Sequence, residues 1–344
     1  MPAFKGYILY ERRNDMKPQC NISQEDLLKA KKIIEDMLDY YGSKVVGQQR
    51  LGASLLVAMM ANGHILLESV PGLAKTTAAK VMTQAVNGAF SRIQCTPDLI
   101  PSDIIGTQTY NAQTNTFENK IGPVYGNFVL LDEVNRSSAK TQSAMLEAMQ
   151  ERAVTIGGET YKMPEVFVVI ATQNPVEQEG TYLLSEAQMD RFLLKVELTY
   201  PTKEQELEVL NRIEQGVFDS SRNVASIEDI VFLQKLCKQV YVDPAIKRYI
   251  VEIVDATRNL ENVISKDLAD YVTMGASTRA SIAFMDTAKA MALINGRYYC
   301  TPEDVKAMRH AVLRHRIMLN FAALADGIQE ETIIDAIFNA VKTP

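Results

Sequence analysis

The chain has 344 residues, 47% apolar and 23% charged, a balance that fits folded domains and excludes a disordered or fibrous polypeptide. A net charge of −6 argues against general affinity for nucleic-acid backbone, and no apolar run reaches the ~18 residues that suggest a membrane span. The first residues lack the long apolar stretch of a secretory signal, and Cys20, Cys95, Cys237 and Cys300 form no C-x-x-C pair, so reduced structural thiols in a cytoplasmic protein are expected.

In chain order, residues 1–22 show no clear period and read as an N-terminal arm. A helix is expected from Ser23, where SQED (23–26) resembles a cap with acidic residues in the first turn. Across 23–200, helical patterns alternate with short strands at ILL (65–67), RIQC (92–95), FVLLD (128–132), VFVVIAT (166–172) and FLLKVEL (192–198). Continuous apolar runs predict strands buried on both faces, hence a mostly parallel sheet in an α/β domain. Two hairpins are expected, at TYNAQTNTFE (109–118) and AVTIGGETYKM (153–163). They are either surface decoration or arms that reach a substrate or a central pore. From 201 to 344 the pattern is all-helical, with helices expected at 202–215, 226–240, 243–258, 278–295, 302–314 and 328–341. The length suffices for two domains, each with a core of its own.

Chemistry concentrates at LESVPGLAKTT (67–77). A buried strand, a tight loop and a helix in that order aim backbone N–H groups at phosphate. The stretch matches G-x-x-x-x-G-K-[ST] with Ser69 and Ala74 in the two Gly places. Pro71, Gly72, Leu73, Ala74, Lys75, Thr76 and Thr77 thus form a candidate phosphate loop, with Lys75 reaching the β- and γ-phosphates of ATP and Thr76 ligating Mg2+. The strand FVLLD then ends in Asp132 and Glu133, one carboxylate to hold the metal and its neighbour to polarise a water.

Three later strings add to this. ATQNP (171–175) places Asn174 at the carboxyl edge of the sheet, where open α/β sheets bind ligands. EAQMDRF (186–192) presents Arg191 before the last strand, either paired within its own domain or reaching a neighbouring subunit's γ-phosphate. GASTRA (275–280) puts Arg279 in the first turn of a helix, where a cation gains nothing from the dipole and an anionic partner is implied.

Together with VVGQ (45–48), TPDLIPSDIIGT (96–107) and the long string around Asp132, these motifs resemble the MoxR ATPases of the AAA+ class, from about residue 25 to the end. The resemblance implies an αβα nucleotide domain with a helical lid, hexameric rings and chaperone-like maturation of a protein partner, often one with a von Willebrand A domain. It implies that Lys75 and Thr76 are Walker A, Asp132 and Glu133 Walker B, Asn174 sensor 1, Arg191 the arginine finger and Arg279 sensor 2. It also places the start of the adenine pocket at Val46, Gly47 and Gln48, and makes the two hairpins the helix-2 and pre-sensor-1 inserts. The family usually has Gly at 69, Pro-Leu-Pro where this chain has Leu183-Leu184-Ser185, and Pro at 278.

His310 and His315 miss the i, i+4 spacing of a helical zinc pair, and His64 has no nearby Cys or His in sequence. The basic stretch RHAVLRHR (309–316) reads as a solvated face or a subunit contact before a nucleic-acid surface. Arg136 ranks second to Arg191 as a residue acting on a neighbour. The expected function is a magnesium-dependent ATPase that remodels a protein partner. A nucleotide-sensing scaffold with little turnover and a DNA-acting AAA+ motor are the alternatives.

Overall fold

The computed structural model describes residues 22–69, 73, 75–175, 181–217 and 222–344. Residues 1–21 of the expected arm, and Pro71, Gly72 and Ala74 of the phosphate loop, lie outside the described residues.

The first part runs α1 (Gln24–Lys44), α2 (Gln49–Met60), β1 (Ile65–Glu68), α3 (Lys75–Gln84), β2 (Phe90–Gln94) and α4 (Pro101–Ile105). A hairpin of β3 (Gly106–Asn111) and β4 (Thr116–Ile121) follows, then β5 (Phe128–Asp132) and α5 (Ala139–Glu151). A second hairpin, β6 (Ala153–Ile156) and β7 (Glu159–Lys162), leads to β8 (Val168–Gln173), α6 (Glu186–Met189) and β9 (Leu194–Glu197). The remainder holds α7 (Lys203–Glu214), α8 (Ile227–Gln239), α9 (Pro244–Ala256), α10 (Lys266–Ala269), β10 (Val272–Met274) and α11 (Thr278–Ile294). It ends with α12 (Pro302–Ala307), α13 (Arg309–Leu313), β11 (Met318–Leu319), α14 (Phe321–Ala325) and α15 (Glu330–Ala340).

Capping chemistry sets the helix starts. Ser23 Oγ accepts from the Asp26 N–H at 3.0 Å, and Ser226 and Asp243 likewise accept N–H groups at the starts of α8 and α9. Strand composition sets the sheet. Its order is β2-β5-β8-β1-β9, and every pairing is parallel. Phe128 and Leu130 of β5 enter one apolar cluster while Val129 and Leu131 enter the other, as a strand covered on both faces requires. The chain is therefore an α/β unit built on a parallel sheet, followed by a mostly helical part.

The structure corrects several expectations. RIQC lies on an edge strand, so β2 is buried at Ile93 but exposes Phe90 and leaves Arg92 and Gln94 accessible. The cores divide by sheet face and not by domain. One cluster runs from Ile34 and Leu55 through Ile65 and Ile170 to Phe284 and Ile337, binding the later helices to the sheet. The single helix expected over 302–314 breaks at Met308 into α12 and α13. A small antiparallel pair, β10 with β11, stands in the region read as all-helical.

The basic stretch 309–316 is neither a solvated face nor a free surface at its end. His315 Nε2 lies 3.1 Å from the Phe192 carbonyl, and Arg316 Nη2 donates to the same oxygen at 2.6 Å. Arg314 donates to the Lys195 carbonyl at 3.1 Å and pairs with Glu197. These side chains cover the otherwise open edge of β9, so the cations are consumed in joining lid to sheet.

His64 shows what a lone histidine does here. Its Nδ1 accepts from the Val169 N–H at 3.0 Å, so Nε2 carries the proton and faces the Met149 carbonyl at 3.2 Å. Burial, with Arg152 nearby, pushes the ring down from 6.5 to about 3. The folded value lies below the unfolded one, so the unfolded chain binds the extra proton and stability falls as pH drops below 6.5. Between pH 6.5 and 5 this ring is expected to cost about 2 kcal/mol of stability. Urea unfolding at pH 7 and pH 5 checks it, with His64→Gln making the dependence shallower while the buried His315, also held well below its usual range by burial, keeps its own share. An equal slope in both proteins would mean that the buried ring is not held neutral.

Candidate functional site

The carboxyl ends of β1, β5 and β8 converge on one edge of the sheet. Ser69 follows β1, and its N–H donates to the Gln173 carbonyl at 3.3 Å, extending the ladder by one residue. Lys75 opens α3, and its Nζ returns to donate to the Ser69 carbonyl at 3.0 Å. Ser69 is not among the described residues with left-handed φ, so Gly in its place would relieve no backbone strain. Leu73 is buried in the core, whereas Thr77 is exposed.

Asp132 is buried, and both of its carboxylate oxygens accept hydrogen bonds. Its Oδ1 accepts from Thr172 Oγ1 at 2.8 Å. Its Oδ2 accepts from Thr76 Oγ1 at 3.2 Å and from Arg92 Nε and Nη2 at 3.2 and 2.6 Å. Burial would raise this carboxyl, but the hydrogen bonds from Arg92 and Thr172 and the Arg92 charge overcome it and hold the group below its usual range. Thr76 and Asp132 thus present oxygen donors only, around a carboxylate already neutralised by a cation. That donor set fits a hard divalent ion such as Mg2+.

Glu133 takes the left-handed conformation, φ 57° and ψ 53°, which is strained for a residue with a side chain. Its N–H donates to Thr172 Oγ1 at 2.9 Å, so one threonine hydroxyl fixes both members of the Asp132–Glu133 pair. The Glu133 carboxylate accepts from Gln94 Nε2 at 3.1 Å and from Arg136 Nη1 at 3.2 Å. Asn174 is buried one residue past β8, and its carbonyl accepts from Asn135 Nδ2 at 3.4 Å. Asn174 therefore shares the edge with the carboxylates, and Arg136 is engaged within this chain by Glu133.

Val46, Gly47 and Gln48 border this edge. Gln48 Nε2 donates to the Thr199 carbonyl at 3.2 Å, just beyond the end of β9. Gly47 has φ +77°, which favours glycine; an added Cβ would also sit 2.7 Å from Gln205 Oε1, a contact the Gln205 side chain would have to swing away to relieve.

Arg191 and Arg279 lie elsewhere. Arg191 precedes β9 and lines a cavity of about 250 Å³ beside Gly63 and His64, at the amino end of β1, opposite Lys75. Arg279 and Arg316 line the same cavity. Asp190 accepts from Arg316 Nε at 2.8 Å, lies 3.5 Å from Arg279 Nη1, and accepts from Ser277 Oγ at 2.7 Å. Asp190 supplies the anion that the position of Arg279 implied. Arg191 Nε is buried without a hydrogen-bond partner among the described residues. Within this chain, neither arginine therefore lies at the Lys75 edge of the sheet.

Sequence reasoning missed Arg92, Gln94 and Thr172. The available signal was the alternation in RIQC, where two polar side chains share one face of the strand, and a Thr inside an otherwise apolar strand end. The hairpins expected at 109–118 and 153–163 are present as β3–β4 and β6–β7. The first exposes Tyr110 and Phe117, whose rings meet edge to face at 5.3 Å.

Residues 64–194 match the ATPase family associated with various cellular activities, and residues 265–337 match the AAA lid domain. Chaperone MoxR1 of Mycobacterium tuberculosis is 46% identical over 301 residues, covering 87% of this chain and 79% of that protein. Protein MoxR of Paracoccus denitrificans is 28% identical over 323 residues, covering 87% and 93%. The solved structure of a candidate ATPase from Cytophaga hutchinsonii is similar at a TM-score of 0.87 and 46% identity, covering 93% of this chain and 98% of that one.

Proposed function

Because this chain belongs to the MoxR family of AAA+ ATPases, we propose that it hydrolyses ATP in a ring, likened to the family's hexamers, to remodel a protein partner. The reading divides the chain into an arm (1–22), a nucleotide domain (23–200) and a lid (201–344), working in the cytoplasm. A client with a von Willebrand A domain is the partner class the family resemblance favours.

The observation that carries it is the shared fixation of Thr76, Asp132, Thr172 and Glu133 at the carboxyl edge of the sheet. Phosphoryl transfer to water needs little covalent chemistry, so placing charges carries the rate. Lys75 binds the β- and γ-phosphates, with the main chain of 71–77 around them, and Val46–Gln48 receives the adenine. Thr76 and Asp132 would hold Mg2+, which when bound neutralises phosphate charge. Glu133 takes the proton of the attacking water, and Asn174 orients that water. Arg191 and Arg279 meet the nucleotide of a neighbouring subunit, which is supported by their distance from Lys75 in chain and sheet.

Phosphate release measured against protein concentration tests this reading. Turnover per subunit should rise with concentration as shared sites assemble, and adding the client should change it. Tight ATP binding without turnover at any concentration would instead indicate a nucleotide-sensing scaffold.

A further inference from the structure

The Arg92 guanidinium lies on the Asp132 oxygen that Thr76 also contacts, Nη2 at 2.6 Å and Nε at 3.2 Å. Three donors converge on Oδ2, while a carboxylate oxygen offers two lone pairs. Another cation cannot be added to that oxygen without a donor leaving, and two positive charges on one oxygen repel.

The donors differ in how easily they leave. The Arg92 side chain is 51% exposed on an edge strand, against 9% for Asp132. Withdrawn from Asp132, the guanidinium returns to water at little cost and keeps Gln94 Oε1, 3.2 Å from Nη2, as a partner. The carboxylate has no such option. A buried anion stripped of its counter-charge is costly, so Asp132 needs one cation or the other. We propose that Arg92 is the resident counter-cation of Asp132 and that the incoming divalent metal displaces it. This rests on the reading of Thr76 and Asp132 as the metal position.

Two consequences separate this from a supporting role. An arginine that helps to build the metal site should weaken metal binding when removed. A competing counter-cation should strengthen it, while leaving the metal-free protein less stable.

The test uses the full chain loaded with ADP and freed of excess nucleotide, titrated with Mn2+ while free Mn2+ is read by electron paramagnetic resonance. Arg92→Gln should bind Mn2+ about tenfold tighter or more, the change expected when the metal no longer has to break a charge-assisted contact. Without metal it should melt below the parent and gain more from Mn2+. Arg92→Lys, which keeps the charge, should lie between the two and serves if Arg92→Gln does not fold. Adding Asp132→Asn to Arg92→Gln should restore the metal-free melting temperature, because the unpaired carboxylate is then gone. Unchanged or weaker Mn2+ binding in both Arg92 variants overturns the proposal. Asp132→Asn alone separates the two failures. If it keeps parental Mn2+ affinity, the metal position itself is wrong and the proposal falls with it. If it loses Mn2+ while the Arg92 variants do not tighten, only the counter-cation is wrong.

Discussion

Glu133→Gln is expected to bind ATP like the parent and to lose turnover by about 10²–10⁴-fold, the range for removing a general base. The substitution is mild for the fold. The Glu133 backbone, in the left-handed region, is anchored by its N–H donating to the Thr172 hydroxyl, a bond the substitution leaves in place. A Gln amide oxygen can still accept from Gln94 and Arg136, the partners of the carboxylate. What it cannot do is take a proton from water. Lys75→Ala should behave in the opposite way. It removes a charge-assisted contact to phosphate and should weaken ATP binding by about 2 kcal/mol. Calorimetric titration of ATP and a phosphate-release assay on both variants distinguish the roles. Parental hydrolysis by Glu133→Gln would remove Glu133 as the base and leave the water without a proton acceptor in this site.

Much of the nucleotide half was legible because burial on both faces leaves a strong mark. FVLLD became β5 at the residues read from its apolar run, and the Gly157-Gly158 turn marked the β6–β7 hairpin. Edge strands leave a weaker mark, since one exposed face admits polar residues. RIQC was therefore read for its strand but not for Arg92 and Gln94, which became visible only with β5 beside them. The lid failed in a different way. The apolar pattern over 302–314 continues through Met308, yet the helix breaks there, and the Arg314 and Arg316 side chains turn inward to β9 and the segment before it. Sequence spacing cannot reveal an acceptor such as the Phe192 carbonyl, more than a hundred residues away. The separation of Arg191 from the phosphate loop was legible in the strand order, because a residue before a parallel strand and a loop after another emerge at opposite edges. That Arg279 would join Arg191 was not legible, because it depends on where the lid docks.

Arg191→Ala is expected to bind ATP and to lose about 10³–10⁵ in turnover, the contribution of an arginine supplied in trans. Arg191 sits at the amino edge with its Nε buried and lacking a hydrogen-bond partner among the described residues, a costly arrangement that an anion from outside the subunit would relieve. Mixing Arg191→Ala with Lys75→Ala should restore part of the activity, since an intact phosphate loop from one variant then faces an intact arginine from the other. Arg279 lines the same cavity as Arg191, so it is expected to serve the same neighbouring site. Its mixtures make the sharper test. Arg279→Ala with Lys75→Ala should recover activity, whereas Arg279→Ala with Arg191→Ala should not. In the second mixture every subunit that offers its amino edge lacks one of the two cations, and no interface is complete. If Arg279 instead served its own nucleotide, that mixture would contain complete interfaces and recover turnover. An inactive mixture of Arg191→Ala with Lys75→Ala, in rings shown by native mass spectrometry to contain both, would place Arg191 in its own subunit's chemistry. The opposite-edge geometry would then need the segment before β9 to move for Arg191 to reach Lys75.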